Sequence, residues 1–151
     1  KGVDGLKIST KGRYGLRAML DLALNSAGGH VSLAQIAERQ ELSVRYLEQM
    51  FSALRKAGLV KSVKGAQGGY SLAALPGEIT AGEILRVLEG DLSVTDSAGS
   101  PVENLFEQCL DQSVYRQLNE GISRIVDGIT LEDLMEDFQK LDTGKNFIYY
   151  I

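Results

Sequence analysis

The sequence predicts a mainly α-helical fold with one small two-stranded hairpin. Three observations carry this. Apolar residues recur at three- and four-residue steps over most of the chain. Ser or Thr stands immediately before four of the periodic runs, where a helix needs a cap. The alternating β pattern occurs once, in LVKSVKGAQGGYSLA, around a glycine-rich bend. With 151 residues and 44% apolar composition, the chain can bury a real core.

Residues 1–6 (KGVDGL) read as irregular. From Thr10 to Asn25 a first helix is marked by Leu16, Met19, Leu20, Ala23 and Leu24, and NSAGGH breaks it. The second runs from Ser32 to about Gln40, with Ser32 and Gln35 spaced as a capping box and Leu33, Ile36 and Ala37 as its apolar face. After Glu41-Leu42-Ser43, Ser43 caps a third helix from Val44 to about Ala57, and Gly58 stops it. Val60 and Val63, then Tyr70 and Leu72, form the hairpin around Gly65, Gly68 and Gly69, and Pro76-Gly77 closes the unit. Thr80 and Glu83 box the start of a helix ending near Glu89. Residues 90–101 are a polar loop, and Pro101 suits the first turn of a long helix, about Val102 to Val126. Its stripe is Val102, Leu105, Phe106, Cys109, Leu110, Val114, Leu118, Ile122, Ile125 and Val126. Gly128 stops it, Thr130 caps a last helix from Leu131 to about Leu141, and the tail TGKNFIYYI is glycine-broken and aromatic. The expected organisation is a unit over 7–75, a helical region over 79–141 and a tail over 142–151.

The net charge of −4 conceals a split. Residues 1–72 hold 11 Lys and Arg against 5 Asp and Glu; residues 73–151 hold 5 against 15. A basic front half suits a polyanion, and the acidic back half keeps that polyanion from the wrong face. One cysteine and one histidine leave no internal disulfide and no zinc site of the usual ligands. A Ser-His-Asp triad would hang on His30, in a Gly-Gly-His turn, and the glycine-rich bend lacks the GKS or GKT ending of a nucleotide-binding loop. No enzyme is expected. No run of about 18 apolar residues or secretory leader is seen, and a cytoplasmic location is expected.

Three short helices followed by a basic hairpin form a winged helix-turn-helix, in which the third helix enters the major groove of DNA and the wing touches backbone or minor groove. At 100° per residue, Leu47, Met50, Phe51 and Leu54 fall on one side of that helix. Arg45, Glu48, Gln49, Ser52 and Lys56 fall on the other. Arg45 and Gln49, one turn apart near the helix start, match the bidentate readers of guanine and adenine, and Glu48 can accept from cytosine. Lys61 and Lys64 flank the wing tip, where Gly68 and Gly69 are expected to let the backbone approach phosphates. Lys7, Lys11 and Arg13 suit phosphate contacts beside the first helix.

STKGRYGLRAMLDLALNS, LAQIAERQELSVRYLEQMFSALRKAGLVKSVKGAQGGYSLA, ITAGEILRVLEG and ITLEDL together resemble the Rrf-two family of bacterial winged-helix transcription regulators, from Lys7 almost to the end. The resemblance implies a homodimer, paired through the long helix, on a palindromic operator in double-stranded DNA. It also implies DNA roles for Arg45, Tyr46, Glu48, Gln49 and Lys64. Cluster-binding members carry three cysteines between the fifth helix and the long helix, whereas residues 90–108 here have none. The chain therefore resembles the cluster-free branch, that of repressors of cysteine metabolism, and no cofactor is expected. The ending NFIYYI is similar to that branch, whose partner is cysteine synthase, a PLP enzyme that captures a terminal isoleucine. The resemblance implies that Tyr149, Tyr150 and Ile151 bind that partner, with packing of Phe147, Ile148, Tyr149 and Tyr150 on the dimer or the start of a strand as the alternative. Cys109, on the apolar stripe, is expected to be a buried small hydrophobe, with a redox-responsive role as the alternative.

Overall fold

A computed structural model describes residues 7–95 and 104–149, with nothing described of the side chains at 146–149. Its elements are α1 (Thr10–Asn25), α2 (Leu33–Gln40), α3 (Val44–Lys56), β1 (Val60–Val63), β2 (Gly69–Leu72), a 3₁₀ turn (Pro76–Glu78), α4 (Ala81–Glu89), α5 (Leu105–Leu110), a π segment (Asp111–Tyr115), α6 (Arg116–Asp127) and α7 (Leu131–Tyr149).

The caps decide where these helices start. Ser32 accepts from the Gln35 N–H at 3.2 Å while the Gln35 side chain accepts from the Ser32 N–H at 3.0 Å. Thr80 and Glu83 repeat the exchange at α4, and Thr130 and Asp133 at α7. Such reciprocal bonds satisfy donors that the first turn leaves orphaned. Ser43 accepts from the Tyr46 N–H at 3.1 Å and starts α3. Between α2 and α3, Glu41 adopts φ 55°, the only left-handed non-glycine residue among those described, and so makes the tight corner of the helix-turn-helix. Gly58, at φ 82°, ends α3 and sends the chain directly into β1.

The core lies between α1, α3 and α4. Met19, Leu22, Ile36, Leu47, Met50, Phe51, Leu54, Ile84 and Leu131 are fully buried in it. Gly15 lets α1 and α4 approach closely, since a Cβ there would stand 2.0 Å from Leu88 Cδ1. The N-terminus of α1 is clamped to the end of α4: the Ser9 N–H donates to Glu89 Oε2 at 2.9 Å and the Ser9 hydroxyl donates to Glu89 Oε1.

Asp21 is the one buried charged residue among those described, 4% exposed. Arg39 donates to it bidentately, with bonds of 2.8 and 2.9 Å, and the Gln40 amide adds another at 2.8 Å. This pair bolts α1 to α2. Arg17 adds a second bolt by donating to the Gln40 carbonyl at 2.7 Å. On the acidic side, Arg86 of α4 grips Asp127 of α6 at 2.6 and 3.0 Å. Those hydrogen bonds hold the Asp127 carboxyl below its ordinary range.

The structure departs from the sequence reading in three places. First, the long helix starts at Leu105, because the Asn104 side chain accepts from the Phe106 and Glu107 N–H groups; Pro101 and Val102 lie outside the described residues. Its middle is a π segment, which a pattern of threes and fours does not announce. Second, α7 does not stop at Leu141 but continues to Tyr149. Gly144 costs a helix only about 1 kcal/mol and did not break this one. Third, Cys109 is exposed, not buried, because the apolar face of α5 points away from this chain's core.

Candidate nucleic-acid interface

The site is built around α3. Leu47, Met50, Phe51 and Leu54 are all fully buried, which fixes the rotation of the helix and turns Arg45, Glu48 and Gln49 outward, all exposed. Lys56 is exposed too, and Ser52 is half-buried. Both candidate base readers near the helix start are thus free to leave the surface, as a recognition helix requires.

Tyr46 is half-buried rather than projecting freely. Its ring meets Tyr14 edge-on, with centroids 6.3 Å apart, and so joins the first turns of α1 and α3. Burial, then the neighbouring Tyr14 and Glu89, hold its phenol above the ordinary range. Arg13 and Arg17 lie over the Tyr14 ring, at 5.8 and 5.1 Å. Exposed Lys11, Arg13 and Arg17 thereby form a basic border next to α3. Arg17 was not singled out from the sequence; its four-residue spacing from Arg13 on α1 was the available signal.

The wing is a two-stranded antiparallel sheet that pairs Val60 with Leu72 and Val63 with Gly69. Val31 adds a one-residue bridge to β2 by exchanging two 2.8 Å bonds with Tyr70, and the Tyr70 ring packs against Phe51, 5.0 Å between centroids. The root of the wing is therefore attached to the core side of α3. At its tip, His30 Nε2 donates to the Gln67 carbonyl. Lys61 and Lys64 are exposed, Lys64 just before Gly65 at φ 114°.

Gly68 and Gly69 also meet a need of the fold itself. A Cβ at Gly69 would stand 2.4 Å from the Val31 carbonyl oxygen, and one at Gly68 would stand 2.2 Å from that of Val63. Both are small because the wing's own backbone closes on them. Tyr150 and Ile151 lie outside the described residues, and Tyr149 is the last residue of α7.

The exposed apolar face of α5 and α6 is the second notable surface. Leu105, Phe106, Leu110, Val114, Leu118 and Ile125 are all exposed, Phe106 by 82%. A contiguous apolar face of this kind on a small protein marks a contact site.

A family profile described as Rrf2, iron-dependent transcriptional regulator, matches residues 8–137. The chain is 48% identical over 130 residues to the HTH-type transcriptional regulator CymR of Bacillus subtilis (strain 168), covering 85% of this chain and 89% of that protein. It is 45% identical over 132 residues to the HTH-type transcriptional regulator IscR of Aliivibrio salmonicida (strain LFI1238), covering 87% and 79%. Among solved structures it resembles CymR of B. subtilis, described as the global cysteine regulator, with TM-score 0.71, 47% identity and coverage of 87% and 97%. It also resembles T. potens IscR, with TM-score 0.73, 47% identity and coverage of 93% of each chain. The mainly helical winged-helix fold expected from the sequence is the fold of these neighbours.

An iron centre does not fit the donors present. The chain has one cysteine and one histidine, and among the described residues no three His, Cys, Asp or Glu side chains gather as a metal would need. A cluster of the iron–sulfur kind takes several thiolate or imidazole ligands. Nor is any described helix long and apolar enough to cross a membrane.

Proposed function

Because this chain belongs to the Rrf2 family of transcriptional regulators, we propose that it is a dimeric, sequence-specific repressor acting on a palindromic operator. The observation that carries this reading is the rotation of α3: four buried apolar residues turn Arg45, Glu48 and Gln49 outward, beside a wing bearing Lys61 and Lys64. In this reading Arg45, Glu48 and Gln49 read base edges in the major groove. Lys11, Tyr46 and Lys61 hold phosphates, Lys64 enters the minor groove, and Gly68 and Gly69 shape the wing. Residues 7–75 are the DNA-binding unit, and α5 to α6, within the region 79–141, carry the dimer.

A shift assay on duplexes from the source genome tests it. Specific binding survives an excess of random duplex, and log affinity falls steeply with log salt. Failure to distinguish any such duplex from random DNA overturns the reading. Replacing Gln49 by Ala costs roughly 1–3 kcal/mol and relaxes preference at one base pair per half-site. A selection of bound sequences checks this, and an equal loss on all sequences reassigns Gln49 to the backbone. Replacing Lys64 by Ala weakens binding almost uniformly and lowers the salt slope by about one per subunit. An unchanged slope removes Lys64 from the contacts.

The regulated genes are assigned to cysteine and sulfur metabolism. Support comes from the likeness to CymR and from the absence of cysteine in residues 90–108, which separates the chain from cluster-binding members. The segment Tyr149, Tyr150 and Ile151 is assigned to a cysteine synthase partner. Truncation before Tyr149 abolishes that complex in a pull-down and leaves DNA binding in place; an undiminished complex disposes of the assignment.

A further inference from the structure

The long helix contains an irregularity that its own apolar stripe demands. Phe106, Leu110, Val114, Leu118 and Ile122 follow one another at four-residue steps. Each step overshoots a full α-helical turn by about 40°, so four steps wind the stripe roughly 160° around an unbroken helix. A stripe wound that far has no single face.

The π segment Asp111–Tyr115 sits in the middle of this run. A π turn holds more residues than an α turn, so each residue advances by roughly 80° instead of 100°, and five of them take back about 100°. The three-residue step from Ile122 to Ile125 takes back about 60° more. The outcome is one nearly straight ridge, on which Phe106, Leu110, Val114, Leu118 and Ile125 are all exposed. Arg116 donates to Asp111 at 2.9 Å, a five-residue spacing that bridges the π turn and braces it.

The ridge is complementary to itself. Turned end for end about Arg116, it lays Phe106 beside Val126, Leu110 beside Ile122 and Val114 beside Leu118. The same reversal brings Glu107 within one position of Arg124. A two-fold contact requires this kind of self-matching, because each residue's partner must reciprocate.

We infer that the π segment sets the phase of the dimer seam: it absorbs one residue too many for a regular stripe and so presents a straight face to an antiparallel second copy. The inference rests on the dimeric reading above and adds how the surface is aligned. It has an unusual consequence. Deleting one residue inside the segment returns the helix to plain α and keeps the ridge straight, with Asp111 and Arg116 then in the four-residue spacing that suits an α-helix. Inserting one residue at the same place rotates Phe106 and Leu110 about 90–100° away from Leu118 and Ile125.

The test compares the wild-type chain, deletion of Ser113, deletion of Gln112 and insertion of Ala after Ser113, by sedimentation across a dilution series with helicity followed by circular dichroism. Ser113 and Gln112 are both exposed, so neither deletion removes a core contact. The expected result is a wild-type dimer, at least one deletion dissociating within about threefold of it, and an insertion weakened at least about 100-fold. A dimeric wild type with both deletions as weak as the insertion overturns the inference alone. A monomeric wild type overturns the dimeric reading, and the inference falls with it.

Discussion

Replacing Leu118 by Asp is expected to make the protein monomeric and to weaken operator binding at least about 100-fold. Leu118 lies midway along the ridge and is 47% exposed on the single chain, so its side chain contributes little to the protomer's own core. In the proposed antiparallel seam it would lie beside Val114 of the second copy and be covered. A carboxylate buried there without a partner costs about 3 kcal/mol or more, and two-fold symmetry imposes that cost twice. Each 1.4 kcal/mol is a factor of ten, so a single 3 kcal/mol already weakens the dimer by more than about 100-fold. Sedimentation reads the loss of the dimer, and a shift assay reads the loss of operator binding. Circular dichroism should show the helices intact. A dimer of unchanged strength would move the interface elsewhere.

The second large effect concerns the bolt between α1 and α2. Replacing Arg39 by Ala should lower stability by about 3 kcal/mol, because it strands the Asp21 carboxylate with only amide donors in a buried position. The value stands at the lower end for a broken buried pair because the Arg39 side chain is 40% exposed. For a chain of this length each kcal/mol moves Tm by roughly 2–4 °C, so a fall of about 6–12 °C is expected. Replacing both partners together, Asp21 by Leu and Arg39 by Met, should cost less than the single change, since no charge is then left buried. Thermal melts of the two variants decide this. A double variant less stable than the single one would show that the pair is worth more than its desolvation. DNA affinity should fall with Arg39→Ala as well, since Arg39 and Gln40 lead directly into the Glu41 corner that aims α3.

Much of the fold was legible because the signals were local. Ser32, Ser43, Thr80 and Thr130 each cap a helix where the sequence placed it, and the spacing of Leu47, Met50, Phe51 and Leu54 gives the rotation of α3 that their burial shows. The misses were of another kind. Asp21 carried no signal in the sequence, and only the approach of Arg39 from α2 explains its burial. The π segment leaves the three- and four-residue pattern intact and shows only when the phase is summed over several turns. Gly144 outweighed the helix-forming neighbours in the sequence reading but not in α7. Cys109 was expected to be buried because periodicity reports that a face is apolar, not whether the chain's own core covers it. Among the candidate site residues, the exposed group of Arg45, Glu48 and Gln49 followed from phase alone. The half-buried setting of Tyr46 and the border formed by Arg13 and Arg17 required the packing of Tyr14.

The central claim is that two copies, joined through α5 and α6, present two α3 helices and two wings to one duplex. The most direct measurement is the mass of the protein–DNA complex on a selected operator, together with its footprint. The account predicts two chains per duplex and two protected half-sites, centred one helical turn or a whole multiple of it apart. A complex of one chain per duplex with a single protected patch would contradict it.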